Sequence, residues 1–317
     1  MKTLNEQIAE IINGQKTKSA KRQELIKLGL TNLDVRVLFK MSGVEADANA
    51  PASRRREARN TLARIISKYT FGVEIECYNA PRTTLLHAAA ANGLHMQSEH
   101  YNHTDNRRYY KLVSDASISG NDPVECVSPI LKGNASGFNS LKSCCTALNS
   151  IGARVNTSTG LHVHVGGGIT EMQYINTFVN YYYLENIIDS FMAQSRRDNR
   201  YAAALHYTEQ RGNVSVSRLL SAQRIDDVYY AFNGDRYYKI NVCSWTRHKT
   251  IEFRQHGGTT NYEKIQKWAT FCLKLVAWSA DNRLTAEIRS INEIPFLTAT
   301  EKRYFTNRAN QIAGANE

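Results

Sequence analysis

Carboxylates and imidazoles recur at a spacing of two residues in this 317-residue chain. In YTFGVEIEC (69–77), Glu74 and Glu76 alternate with Val73 and Ile75; in GLHVHV (160–165), His162 and His164 alternate with Leu161, Val163 and Val165. TIEFRQH (250–256) sets Glu252, Arg254 and His256 against Ile251, Phe253 and Gln255, and VECVSP (124–129) carries Glu125 between Val124 and Cys126. Successive side chains of a strand point to opposite faces, so each stretch predicts a strand with one apolar and one ionisable face. Two carboxylates on such a face are costly to bury unless cations sit between them. Two imidazoles on a strand each need a polar partner when buried, which favours a metal or phosphate role over packing. On residue types alone a metallohydrolase fits as well as a phosphoryl-transfer site.

Helices must hold these strands. RTTLLHAAAAN (82–92) predicts a helix stopped at Asn92–Gly93, and GFNSLKSCCTALNSIG (137–152) one with Leu141, Cys145 and Leu148 inward. A long helix runs from Glu171 to about Ser195, with Arg196 and Arg197 near its end, and another spans 261–283, packing Ile265, Trp268, Leu275 and Trp278. Gly120–Pro123 separates Lys111–Ile118 from Val124–Pro129, which predicts an antiparallel pair with Asp115 near the end of the first strand. Tyr237–Cys243 is a further extended run. EHYNHTDNRRYY (99–110), bearing His100, His103, Arg107 and Arg108, reads either as a loop over the site or as a surface excursion. Residues 198–236, with Arg211, Arg218 and Arg224, read as an irregular active-site loop.

The front of the chain differs in charge. Residues 1–70 hold 14 Lys or Arg against 7 Asp or Glu and so carry +7 of the net +11. Residues 4–13 and 19–29 pattern as short helices, a third segment runs from Thr31–Asn32 to about Phe39, and Met41–Pro51 reads as a linker. A helix over Arg54–Lys68 opens with RRRE, and three arginines at a helix start oppose its dipole. That placement points to docking of nucleic acid or protein, with a solvated face as the plainer reading. The expected units are a basic helical region with linker (1–50), a catalytic domain (51–290, including the helix 53–68) and a C-terminal tail (291–317). No stretch is apolar enough for a membrane span, and the start MKTLNEQIAE lacks the apolar core of a secretion signal. Six cysteines without a CxxC pair read as buried thiols of a reducing cytoplasm.

In sequence order, YTFGVEIEC, SDASI with VECVSPILKG, GLHVHVGGG and TIEFRQHGGT resemble the motifs of the amidoligases. These are relatives of glutamine synthetase and glutamate–cysteine ligase, with many bacterial and phage-encoded members. The resemblance covers about residues 69–285. It implies an α+β, glutamine synthetase-like catalytic fold: a strongly bent antiparallel sheet with helices on its convex side and metal-binding carboxylates on its concave face, here preceded by a small helical region. The implied activity is an ATP-dependent carboxylate–amine ligase, forming an amide or peptide bond through an acylphosphate in the bacterial cytoplasm. ATP and Mg²⁺ or Mn²⁺ are the implied cofactors, and an acidic carboxylate donor and an amine acceptor the partners. Carried onto this chain, Glu74 and Glu76 resemble first-strand ligands of two metals, and Glu125 the carboxylate of the second motif. His162 or His164 resembles the histidine that meets a metal or nucleotide phosphate. Glu252 resembles the last-strand ligand and Arg254 the arginine on the transferred phosphate, so Glu125, Glu252 and Arg254 form the implied catalytic set.

The chain departs from glutamine synthetase in lacking a recognisable ammonia-site tyrosine–arginine arrangement, which leaves the acceptor open. It also lacks a GxxxxGK loop, so a nucleotide has to be bound by sheet and metals. Arg107, Arg108, Arg196 and Arg197 offer a basic route for an acidic donor. Two other readings stand beside the ligase: a nucleic-acid-associated binding protein on a degenerate ligase scaffold, and a metal-dependent hydrolase or phosphotransferase.

Overall fold

The computed structural model describes residues 4–13, 18–28, 66–100, 108–206 and 212–314. The expected third segment (31–39), the linker Met41–Pro51, the arginines at 54–56, His103, Arg107 and Arg211 lie outside these residues. Two short helices, α1 (Leu4–Asn13) and α2 (Lys18–Lys27), form the front as expected, and the buried Lys21 ammonium donates to the Ile12 carbonyl at 2.7 Å.

Among the described residues eight strands make one sheet: β1 (Thr70–Cys77), β2 (Met96–Ser98), β3 (Tyr110–Val113), β4 (Val124–Val127), β5 (Leu131–Lys132), β6 (Gly160–Gly166), β7 (Ile240–Asn241) and β8 (Ile251–Gly257). Their order is β2-β3-β4-β1-β6-β8-β7, with β5 pairing β1 off this path. This corrects the strongly bent antiparallel sheet expected from the resemblance. The sheet is mixed, because β2 runs parallel to β3, and it is neither strongly curled nor closed. Strong curvature is introduced by bulges and kinks at several strands. The ladders around β6 show one register shift, against β8 between Leu161 and Val163, and the alternation of side chains carries no information on bending.

The apolar sides of the strands meet α3 (Arg82–Ala91), α4 (Ala135–Ser150), α5 (Glu171–Ser190) and α9 (Tyr262–Trp278) in one core. Phe71 stacks on Phe138 of α4 at 4.9 Å, and Phe253 meets Tyr181 of α5 at 5.7 Å and Trp268 of α9 edge-on at 6.4 Å. Side-chain caps set where the helices begin. Asn134 and Asn261 accept from Gly137 and Lys264 N–H groups, and Thr170 with Gln173 forms a reciprocal capping box that starts α5.

Residues 198–236 are less irregular than expected, containing α6 (Val216–Ser221) and α7 (Ile225–Ala231). The run Tyr237–Cys243 yields only the two-residue β7. Tyr237 and Lys239 spend backbone hydrogen bonds on Ala203 instead, and the Asn241 side chain turns the chain by accepting from Cys243 N–H at 2.7 Å. The short α8 (Ser244–His248) then leads to β8. The tail forms α10 (Ala299–Gly314), tied to α9 by an ion pair between Glu301 and the buried Lys274.

Candidate functional site

Strand register arranges the polar face as cross-strand rows. Glu125 of β4 stands directly opposite Glu76 of β1, and Glu74 of β1 opposite His162 of β6. In the next row Gly72, His164, Glu252 and Asn241 follow one another across β1, β6, β8 and β7. Having no side chain, Gly72 leaves floor space beside Ser128 and His164. These residues, with Arg254, line one cleft of about 1210 Å³. All seven residues singled out from the sequence therefore meet in one place.

Hydrogen bonds hold them there. Glu76 accepts from Gly160 N–H at 2.6 Å, and His162 Nδ1 lies 2.9 Å from Glu74 Oε2. A side chain at Gly160 would crowd His162, Arg196 and Glu76 at 3.1–3.4 Å, so its absence lets these three close on one another. Glu252 receives Arg254 Nη1 on one oxygen and Asn241 Nδ2 on the other, each at 2.6 Å. Arg254 Nε also donates to the Tyr201 carbonyl at 3.3 Å, fixing the guanidinium plane. Arg196, buried in the lining of the same cleft, donates to the Arg254 and Gln255 carbonyls at 2.6 and 3.2 Å.

Each titratable group is tuned by its neighbours. Burial alone would raise Glu252, but Arg254 and then His164 overcome it and hold the carboxyl at about 2. For His164, burial works towards the neutral ring, whereas Glu252 and Glu74 favour imidazolium and win, at about 9. Glu74 falls well below the usual carboxylate range, because His164 and His162 outweigh its burial. Glu125 goes the other way: burial, then Glu74, Glu76 and Asp115, push it well above that range. The carboxylates of Glu74 and Glu252 are thus balanced by the His164 imidazolium, while burial and three neighbouring carboxylates bias Glu125 towards its protonated form.

This is the electrostatic pattern of a cation site. Among the described residues, three groups have ligand atoms within 4.8 Å of one another: Glu74–His164–Glu252, Glu74–Glu125–His162 and Glu76–Asp115–Glu125. Among the described residues His164 Nε2 is buried without an aligned hydrogen bond, although Glu74 Oε1 lies 3.3 Å away. A divalent cation fits this donor set, and binding at His164 would release its proton.

A model of the family described as "Putative amidoligase enzyme" matches residues 67–276, well over half of the chain. The chain belongs to that family. No curated protein matches it. The amidoligase assignment accounts for the coincidence of four separate motifs in one cleft, and together with the clustered donors it makes this an enzyme of ligase type with residues able to hold metal.

The structure separates other expectations. Arg196 lines the cleft, but Arg197 does not; its Nε donates to the Met192 carbonyl and closes the turn after α5. Arg108 is likewise absent from the cleft lining, and His100 lines a small separate hollow. His256 was expected on the face of Glu252 and Arg254. The register shift places an extra β8 residue opposite β6, after which His256 turns to the helices and lies 5.9 Å from the Trp268 ring. Sequence reasoning missed Asp115, Asn241 and Lys111 as site residues. Asp115 lay in a quoted motif, and Asn241 interrupts the apolar run INVC, which was its available signal.

Proposed function

We propose that this amidoligase joins a carboxylate to an amine at the expense of ATP. A donor carboxylate oxygen attacks the γ-phosphorus and ADP departs; the amine then attacks the acyl carbon, loses a proton and expels phosphate to leave the amide. The observation that carries the reading is Arg254, held in plane by Glu252 and Tyr201 at the edge of a floor of carboxylates. Its fork of donors matches phosphoryl oxygens as charge shifts among them. Arg196 adds a second buried positive charge in the lining of the same cleft. Glu74, Glu76, Glu125 and Glu252, with His162 and His164, are the proposed ligands. The oxygen-only group of Glu76, Asp115 and Glu125 suits Mg²⁺, and the two groups containing a histidine accommodate Mn²⁺. A divalent cation held there supplies neutralisation of the phosphate oxygens. The rest of the catalysis in this reading is positioning by residues fixed on strands.

The test is incubation with ATP, Mg²⁺, pooled carboxylates and hydroxylamine, followed by mass spectrometry. ADP and phosphate should form in step with a hydroxamate, and with an amide when amines replace hydroxylamine. ATP consumed without any trapped acyl product across a broad donor pool would instead assign the cleft to a metal-dependent hydrolase.

A further inference from the structure

At the β7 end of the cleft the lining changes from carboxylate to aromatic and basic. Tyr201 is 43% exposed and lines the cleft with Tyr237 and Arg236. Its ring meets Tyr237 edge-on at 6.0 Å, with the Arg200 guanidinium 5.7 Å from its centroid. Arg236 and Arg254 lie over the Tyr237 ring at 5.0 and 5.8 Å. Among the described residues Arg236 Nε has no hydrogen-bond acceptor. The Arg254 guanidinium donates to the Tyr201 carbonyl, so the arginine beside the carboxylate floor is tied directly to the residue that carries the exposed ring. A single exposed tyrosine is ordinary. An aromatic pair interleaved with guanidinium groups, opening onto a phosphate-binding floor, is the arrangement that stacks a flat heteroaromatic ring and neutralises the chain of anions attached to it.

We infer that Tyr201 and Tyr237, with Arg236, form the base-binding end of the nucleotide subsite. The base of a nucleoside triphosphate stacks on the exposed Tyr201 ring, and its phosphates pass Arg236 and Arg254 towards the carboxylate floor. This assignment rests on the ligase reading above. Stacking engages the face of a base and not its hydrogen-bonding edge, so ATP and GTP are held similarly by this element.

The full chain with Mg²⁺ is titrated calorimetrically with ATP and, separately, with inorganic tripolyphosphate, which lacks a base. Tyr201→Ala removes the ring but keeps the carbonyl that holds Arg254. It should weaken ATP about tenfold or more, the range of lost base–aromatic stacking, and leave tripolyphosphate unchanged. Tyr201→Phe should retain ATP affinity. Equal losses for both ligands, or no loss for ATP, overturn the subsite while leaving the ligase reading in place. A wild-type protein that binds neither ligand overturns both. Displacement of ATP by a single-stranded oligonucleotide at lower concentration than ATP itself would transfer the ring to nucleic acid. Matching thermal melts establish that the variants are folded.

Discussion

Glu125→Gln keeps the shape of the side chain and removes one of two carboxylates that the β1–β4 register sets face to face. Ligand oxygens of Glu76 and Glu125 lie within 4.8 Å of one another. At that separation and an effective dielectric of about 20, two full charges repel by on the order of 3 kcal/mol. The metal-free protein relieves this by protonation, since burial, Glu74, Glu76 and Asp115 raise Glu125 well above its ordinary value. The sign follows from linkage. A carboxyl with a raised folded pKa binds more protons folded than unfolded, so the associated stability is present below the unfolded value of about 4.3 and is lost as pH rises through the folded value. In EDTA, Glu125→Gln should match the wild type near pH 4 and exceed it near pH 8 by about 1–3 kcal/mol. That is a rise in Tm of roughly 2–4 °C per kcal/mol for a domain of this size. Divalent metal reverses the order. A ligand at 100 times its Kd stabilises by about 2.7 kcal/mol, and the variant, short of one ligand oxygen charge, should gain less. Urea unfolding at both pH values, with EDTA and with Mg²⁺ or Mn²⁺, measures all four quantities. A variant less stable than wild type in EDTA at pH 8, or an equal metal gain in both proteins, would refute the argument. The opposed carboxylates would then be compensated within the protein, for instance by Lys111 on the neighbouring strand, and not kept for a cation.

Much of the floor was legible because a strand's period of two survives burial. Val73 and Ile75 had to face the core, so Glu74 and Glu76 had to share the other side, and the same logic placed His162, His164, Glu252 and Arg254. Which carboxylate opposes which was not legible, since register is a property of two strands and of the turns between them. His256 shows the limit most directly: one extra residue in β8 flipped every later side chain, and nothing in FRQHGG announces it. Sheet curvature failed for a related reason, because it depends on bulges and kinks that alternation does not encode. Tyr201 and Arg236 were unreadable because they lie on connections outside any periodic pattern and reach the cleft only through long-range pairing of Ala203 with Tyr237 and Lys239.

Three further perturbations test separate parts of the reading. Deleting residues 1–50 should leave a folded body, because the proposed boundary lies in Met41–Pro51; circular dichroism and a cooperative melt would show it, and an insoluble or molten product would make the front part of the core. Arg254→Lys should keep most nucleotide affinity but lower turnover by about 100-fold or more, as one ammonium cannot serve Glu252, the Tyr201 carbonyl and a phosphoryl oxygen together; unchanged turnover removes the role proposed for it. The last concerns His256, which the β8 bulge packs against Trp268. Burial, only partly offset by a hydrogen bond to the Gly257 carbonyl and reinforced by Arg308, Arg196 and Lys264, lowers its pKa to about 4. A histidine depressed in the folded state contributes stability that is whole above its unfolded value of about 6.5 and drains away as pH falls towards 4. The difference corresponds to at most about 3 kcal/mol at 1.36 kcal/mol per pH unit. His256→Gln carries no such proton, so wild type and variant should diverge across this window, with the wild type losing more. Parallel stability profiles from pH 7.5 to 4 would mean that the imidazole already meets enough water to titrate normally, and that packing against Trp268 does not exclude it.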